Sequence, residues 1–259
     1  MIRRAGPRAW LRNWNGSITI VGLLLLWQLV FEIAGENAMA PPLATTLYLL
    51  QLLGTAVFWS NVAATGAAFL LALLIALALG LGIGFALGLH RFSHAVVEPV
   101  LVSLYAVPKV TLYPIVLLAF GIGLPAKVAF GAIHGVIPMA IFTMTAIRGL
   151  NPVLLKTARV LRLPHATVAR SIILPSALPE IFTGIRVSFS LTLIGTLLGE
   201  MFGAQRGLGY LLMQAIGLQN VRMIMAVTLL LVLFAASVSV ALLAIDRRLH
   251  RAVRDSMIA

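Results

Sequence analysis

Apolar residues in this chain run in long, nearly unbroken stretches. They do not alternate as in a half-buried strand or form the narrow stripe of a surface helix. Six stretches are long enough to span roughly 30 Å of hydrocarbon: residues 17–34, 61–89, 97–120, 126–145, 177–198 and 223–245. A polar stretch with Pro41 and Pro42 follows the first, and a short amphipathic piece over 45–53 precedes the second. The third holds Pro99, Pro108 and Pro114, so its helix is expected to break. Gly80, Gly84 and Gly88 stand four apart, as do Gly131 and Gly135. Such spacing puts small residues on one helical face, where backbones can pack closely in lipid. The pattern predicts an all-α integral membrane protein with six transmembrane helices. It reads as one domain over 1–259, with a tail and first helix over 1–35, a core over about 60–245 and a basic tail over 246–259.

Composition sharpens this picture. Of 259 residues, 61% are hydrophobic and only 10% charged, and mean hydropathy is +1.06. A water-facing surface cannot be covered with so little charge, so the lipid bilayer is the expected solvent. The net charge of +12 does not point to nucleic acid. The basic residues sit in short clusters between apolar runs, with no basic strand rich in aromatic residues and no zinc-ligand spacing. The absence of cysteine removes disulfides, thiolate metal sites and a thiol nucleophile. No metal site and no catalytic residue is expected: there is no carboxylate pair, HExxH or nucleophile elbow. Ala38-Met39-Ala40 resembles a signal-peptidase site, but with a polytopic chain behind it the first apolar run reads as an uncut anchor.

Charge also predicts orientation. With the N-terminus inside, the inner segments hold Arg3, Arg4, Arg8, Arg12, Arg91, Arg148, Lys156, Arg159, Arg162, Arg170, Arg247, Arg248, Arg251 and Arg254. The outer segments hold only Lys127, Arg206 and Arg222, a bias of 14 to 3. Basic residues concentrate in cytoplasmic loops, so both termini are expected in the cytoplasm of a bacterial cell, the chain crossing its inner membrane.

The longest inner loop, between spans four and five, has internal design. Asn151 suits a helix cap and Pro152 a first turn. Leu154, Ala158 and Leu161 then fall on one apolar stripe, while Lys156, Arg159 and Arg162 lie off it. Pro164 ends or kinks this helix, and a second helical stretch over about 165–172 leads to Leu174-Pro175.

At this loop the chain resembles the permease subunits of binding-protein-dependent ABC importers. Their loop reads E-A-A, three residues, G, nine residues, I-x-L-P. Ala158 takes the third position here, and the spacing then reaches Ile172, Leu174 and Pro175. Lys156, Thr157 and Arg162 stand where the family has Glu, Ala and Gly. At Arg162 a left-handed turn would cost a side chain about 1 kcal/mol, or the turn would change. Further matches are Ala177-Leu178-Pro179, Thr183-Gly184-Ile185-Arg186, Glu200-Met201-Phe202-Gly203-Ala204 and Gly207-Leu208-Gly209-Tyr210-Leu211. Pro108-Lys109, Pro114 and Phe120-Gly121-Ile122-Gly123 resemble the nitrate/sulfonate/taurine branch.

The resemblance implies a type I importer permease with a short cytoplasmic coupling helix. It implies ATPase subunits that bind ATP and Mg, an external or periplasmic solute-binding protein, and a second, identical permease. The chain itself lacks a phosphate-cradling G-x-x-x-x-G-K-[ST], so no cofactor is expected in it. Leu154, Lys156, Ala158, Arg159, Leu161 and Arg162 become the candidate ATPase-coupling residues. The implied solute is small and anionic: nitrate, a sulfonate, taurine or similar. Lys109 is a candidate pathway residue, since a cation inside a span suits an anion; the alternative is a lysine paired with a carboxylate or carbonyl. His134 reads either as a packed helix residue or as a solute contact. Glu180 and Arg186 read as structural or interfacial before pathway. Glu200 and Arg206 are candidate contacts for the binding protein. A stand-alone secondary transporter or channel is the alternative function, opposed by the scarcity of acidic residues inside spans.

Overall fold

In a membrane, backbone polar groups must find partners within the chain, which favours helices for long apolar runs. A computed structural model describes residues 8–258, and among these it contains helices and no strands. In chain order they are α1 (Arg8–Ala34), α2 (Pro42–Leu53), α3 (Ala56–Leu89), α4 (Arg91–Ala106), α5 (Tyr113–Phe120), α6 (Leu124–Arg148), α7 (Pro152–Val160), α8 (His165–Val168), α9 (Leu174–Gly203), α10 (Leu208–Gly217) and α11 (Val221–Ile258). A 3₁₀ turn, Lys109–Leu112, joins α4 to α5, and a π turn, Ala169–Ile173, joins α8 to α9. Arg3 and Arg4 lie outside the described residues.

The six-span expectation is met only in part. Among the described residues, four helical runs are long and apolar enough to cross a membrane: Ala56–Leu89, Leu124–Arg148, Ala166–Gly203 and Val221–Arg248. The third expected span is a pair of helices bent by 87°. Pro108 accounts for the break, since it disfavours helix at the residue before it and carries no N–H to continue one. The first expected span falls on α1, whose apolar part includes Ile18–Ala34.

Two boundaries also differ from expectation. The stretch leading to Leu174-Pro175 runs directly into span five as one helical course from Ala166 to Gly203. Pro175 stands in the first turn of α9. The π turn just before it loosens the i→i−4 ladder where the ring would otherwise clash, so the course is not interrupted. Similarly, residues 246–258 do not form a separate tail but continue α11.

Contacts divide the chain into two compact units, one of residues up to Phe58 with Leu212–Leu231, the other of Trp59–Leu211 with the residues from Val232 on. In the first, the Trp27 indole donates to the Ala40 carbonyl at 3.0 Å and ties α1 to the start of α2. In the second, α3, α6 and α9 pack through small residues. Ala68, Ala72 and Ala76 are fully buried and continue the four-residue spacing of Gly80, Gly84 and Gly88. A methyl group on Gly84 would lie 2.7 Å from the Ala140 carbonyl, and one on Gly88 would lie 2.9 Å from Ile147 Cβ. Where α6 meets α9, the Ser188 hydroxyl donates to the Gly135 carbonyl at 2.9 Å. The glycine spacing therefore serves packing inside the bundle.

Candidate coupling and transport sites

The connection from α6 to α9 folds as its capping residues dictate. The Asn151 side chain accepts from the Val153 amide at 2.9 Å, and Pro152 fills the first turn. At the other end the Leu163 amide donates to the Ala158 carbonyl and the Arg162 amide to the Arg159 carbonyl, both at 3.0 Å. These two bonds form a Schellman motif, with Arg162 at the left-handed position, φ 49°. The turn that the family builds with Gly is kept here by Arg, against the steric preference of a side chain.

The stripe expected to face outward divides. Ala158 is only 3% exposed, packed against its own chain, and Leu154 is half-buried. Leu161 remains outside at 64% exposure, joined by Val153 and by Val160 at 82%. Lys156, Arg159 and Arg162 are exposed. The helix thus seats one apolar face inward and leaves Val153, Val160 and Leu161 exposed beside Lys156, Arg159 and Arg162.

Lys109 lies in the 3₁₀ turn of the broken span. Its ammonium donates to the Tyr105 carbonyl at 3.0 Å and sits 5.0 Å from the Tyr105 ring centroid. Tyr105 is in the last turn of α4, where carbonyls lack intrahelical partners, and lysine supplies one. The carbonyl pairing is therefore present, and the ammonium's other two N–H groups are left for other acceptors. His134 is buried. Its Nδ1 donates to the Phe130 carbonyl at 2.8 Å, and its ring meets the Phe130 ring edge-on at 4.7 Å.

Glu200 is placed quite differently from the expected surface contact. It is 0% exposed and cannot touch an external protein. Its carboxylate accepts from the Thr65 hydroxyl at 2.7 Å, the Gly209 amide at 3.0 Å and Lys127 Nζ at 3.2 Å. Lys127 also donates to the Arg206 carbonyl at 3.0 Å. Thr65 accepts from the Leu208 amide at 2.7 Å, and Asn61 from the Gly207 amide at 2.8 Å. Three amides at the start of α10 are thus capped by side chains, with a carboxylate at the positive end of the helix. Gly207, at φ 130°, would drive any Cβ into the Glu200 carboxylate, so a side chain is barred there twice over. The Arg206 side chain is exposed.

Sequence reasoning missed Lys127, Thr65 and Asn61, having read Lys127 as an outer-loop charge. The available signal was one isolated cation and one isolated carboxylate in apolar surroundings, each needing a partner. It also missed Asp246, whose carboxylate lies 3.6 Å from the Arg186 guanidinium. Among the described residues no group of three or more His, Cys, Asp or Glu is placed to hold a metal.

This arrangement can be set beside known proteins. Residues 76–255 match the family described as binding-protein-dependent transport system inner membrane component. The chain belongs to that family. It is 33% identical over 236 residues to the riboflavin transport system permease protein RibX of Chloroflexus aurantiacus, covering 90% of this chain and 88% of that one. It is 27% identical over 238 residues to the taurine transport system permease protein TauC of Escherichia coli, covering 89% and 86%. Among solved structures, a chain of the MetNI methionine ABC transporter in inward-facing conformations superposes with a TM-score of 0.65 at 19% identity, covering 74% of this chain and 96% of that one. The fold is that of type I ABC importer permeases. The protein is an integral membrane transport component rather than an enzyme, and its family works with ATPase and substrate-binding-protein partners. The stand-alone transporter or channel falls away with that membership.

Proposed function

We propose that this permease carries a small anionic solute, such as nitrate, a sulfonate or taurine, across the bacterial inner membrane. ATP with Mg binds and is hydrolysed on ATPase subunits that grip α7 from the cytoplasm. Both termini lie on that side, as the 14-to-3 bias supports. A second, identical permease completes the channel, and an external binding protein delivers the solute, with Arg206 as one contact.

One observation carries the coupling reading: α7 is capped at both ends, anchored by buried Ala158, and leaves Val153, Val160 and Leu161 exposed among Lys156, Arg159 and Arg162. A rigid rod fastened to its own bundle transmits displacement, and an apolar patch with a cationic rim suits a groove with an acidic edge. ATPase closure would then move α7 and, through the continuous course from Ala166 to Gly203, a membrane-spanning helix.

The anionic solute is supported by Lys109 in the broken span and by relatives named for taurine, aliphatic sulfonates and bicarbonate. A larger, neutral solute is the second reading, favoured by the relative named for riboflavin. ATP-loaded proteoliposomes holding the permease and its ATPase, with the binding protein outside, decide between them. Taurine, ethanesulfonate, nitrate, bicarbonate and riboflavin are offered in turn. Import of one of the four small solutes is expected, with Lys109→Met lowering it several-fold at unchanged assembly. Import of riboflavin alone would replace the anionic reading by the second.

A further inference from the structure

Within the second unit, a cavity of about 290 Å³ opens between helices α4, α9 and α11. Its polar lining is Tyr105, Arg186, Ser190 and Ser239, set among Val187, Leu191 and Leu243. Arg186 and Ser190 stand one turn apart on α9 and face the cavity together. Arg186 is the thirteenth residue of thirty in α9, within the apolar course and toward its inner end, where its partner Asp246 adjoins Arg247 and Arg248. An ionisable group there is expensive to keep and implies a use. Among the described residues Arg186 pairs with one carboxylate, Asp246, at the long distance of 3.6 Å, and a guanidinium carries five N–H donors. Lys109 lies over the Tyr105 ring at 5.0 Å. Among the described residues two cations, Arg186 and Lys109, and one carboxylate, Asp246, stand around the cavity and its wall, with three hydroxyl groups alongside, of which that of Ser190 donates to the Arg186 carbonyl at the long distance of 3.4 Å. Guanidinium and hydroxyl donors together fit an oxyanion, which takes several hydrogen bonds at once. The volume lies at the small end of ligand-sized cavities, suited to a sulfonate or carbonate and too small for a flavin.

We propose that this cavity is a transit subsite for the oxyanion group of the solute, in which Arg186 exchanges the distant Asp246 carboxylate for the passing anion. The assignment rests on the anionic-solute reading above. A loosely held cation suits transit: it offers attraction enough for entry, while the waiting carboxylate retakes the guanidinium and releases the solute.

The chain has no cysteine, so Ser190→Cys provides a single thiol in the cavity. The full permease with its ATPase, in proteoliposomes, is treated with an anionic (sulfonatoethyl) and a cationic (trimethylammonioethyl) methanethiosulfonate. Rates are normalised to those of a free thiol. The anionic reagent is expected to react roughly tenfold faster, as a focused positive potential dictates. Arg186→Gln should bring the ratio near one, Arg186→Lys should preserve it, and Asp246→Asn should raise it. Ethanesulfonate at millimolar concentration should slow the reaction. Equal rates, a preference for the cation, or a ratio indifferent to Arg186→Gln would overturn the proposal. Failure of both reagents to react would overturn it too, by showing that the cavity faces lipid. ATP-driven uptake by the unsubstituted permease is measured in the same preparation. If an anion is imported while labelling ignores charge, the subsite fails and the transport reading stands. If no anion is imported, the reading beneath it fails.

Discussion

Lys127–Glu200 and Arg186–Asp246 both join helices of the same unit, and α9 contributes to each, yet their surroundings have little in common. The Lys127–Glu200 pair is sealed, its side chains 6% and 0% exposed, at 3.2 Å, and each member has further hydrogen-bond partners. Arg186–Asp246 is longer, at 3.6 Å, with side chains 29% and 11% exposed, beside an open cavity. In a low-dielectric setting a charge held by several partners is architecture. A guanidinium whose carboxylate lies at 3.6 Å beside an open cavity can change partners. The first pair fixes the start of α10, while the second stands beside the candidate pathway.

This contrast breaks most directly through the buried pair. Lys127→Met leaves the Glu200 carboxylate sealed without its cation, at a cost of about 3–5 kcal/mol. Thermal unfolding in detergent should fall markedly, and hydrogen exchange at Leu208 and Gly209 should accelerate. Adding Glu200→Gln should recover part of the loss, since the amide oxygen still accepts from Gly209. Next comes the α7 seat. Ala158→Asp buries an unpaired carboxylate, worth several kcal/mol locally, and should reduce ATP-driven uptake by more than tenfold with the chain still inserted. Val160→Asp, on the exposed face, should leave stability within about 0.5 kcal/mol and weaken ATPase co-purification. If both substitutions act alike, seating and docking are one surface. Arg162→Gly should relieve the left-handed residue and stabilise the α7 terminus by about 1 kcal/mol, read as slower exchange at the Leu163 amide. The smallest effect is expected at the loose pair. Asp246→Asn should cost less than Lys127→Met, since the pair is longer, at 3.6 Å, and the amide keeps an oxygen that accepts from Arg186. A loss comparable to that of Lys127→Met would erase the distinction.

Much of this architecture was legible before any coordinates. The membrane class, the break near Pro108 and the capped helix after Asn151 all follow from local rules that a linear chain displays. Gly80, Gly84 and Gly88 announced close packing for the same reason. What stayed hidden depended on partners far apart in sequence. Glu200 looked like an external residue because it follows a span, and only the return of Gly207–Gly209 beneath it turns it into a buried cap. Ala158 lay on the predicted stripe, but whether that stripe faced inward or outward is decided by what packs on it. The continuous course through Leu174-Pro175 was hidden because a π turn leaves no mark in the hydrophobic period. Asp246 was read into a tail because its partner, Arg186, is sixty residues away.

The central claim is that α7 lies on the cytoplasmic side and is the surface gripped by the ATPase. Val160→Cys gives this cysteine-free chain one thiol on that surface, and a membrane-impermeant maleimide can be applied from either side of sealed vesicles. Labelling from the cytoplasmic side alone, with strong protection once the ATPase is bound, is the predicted result. Labelling from the exterior, or cytoplasmic labelling that the ATPase leaves unchanged, would contradict it.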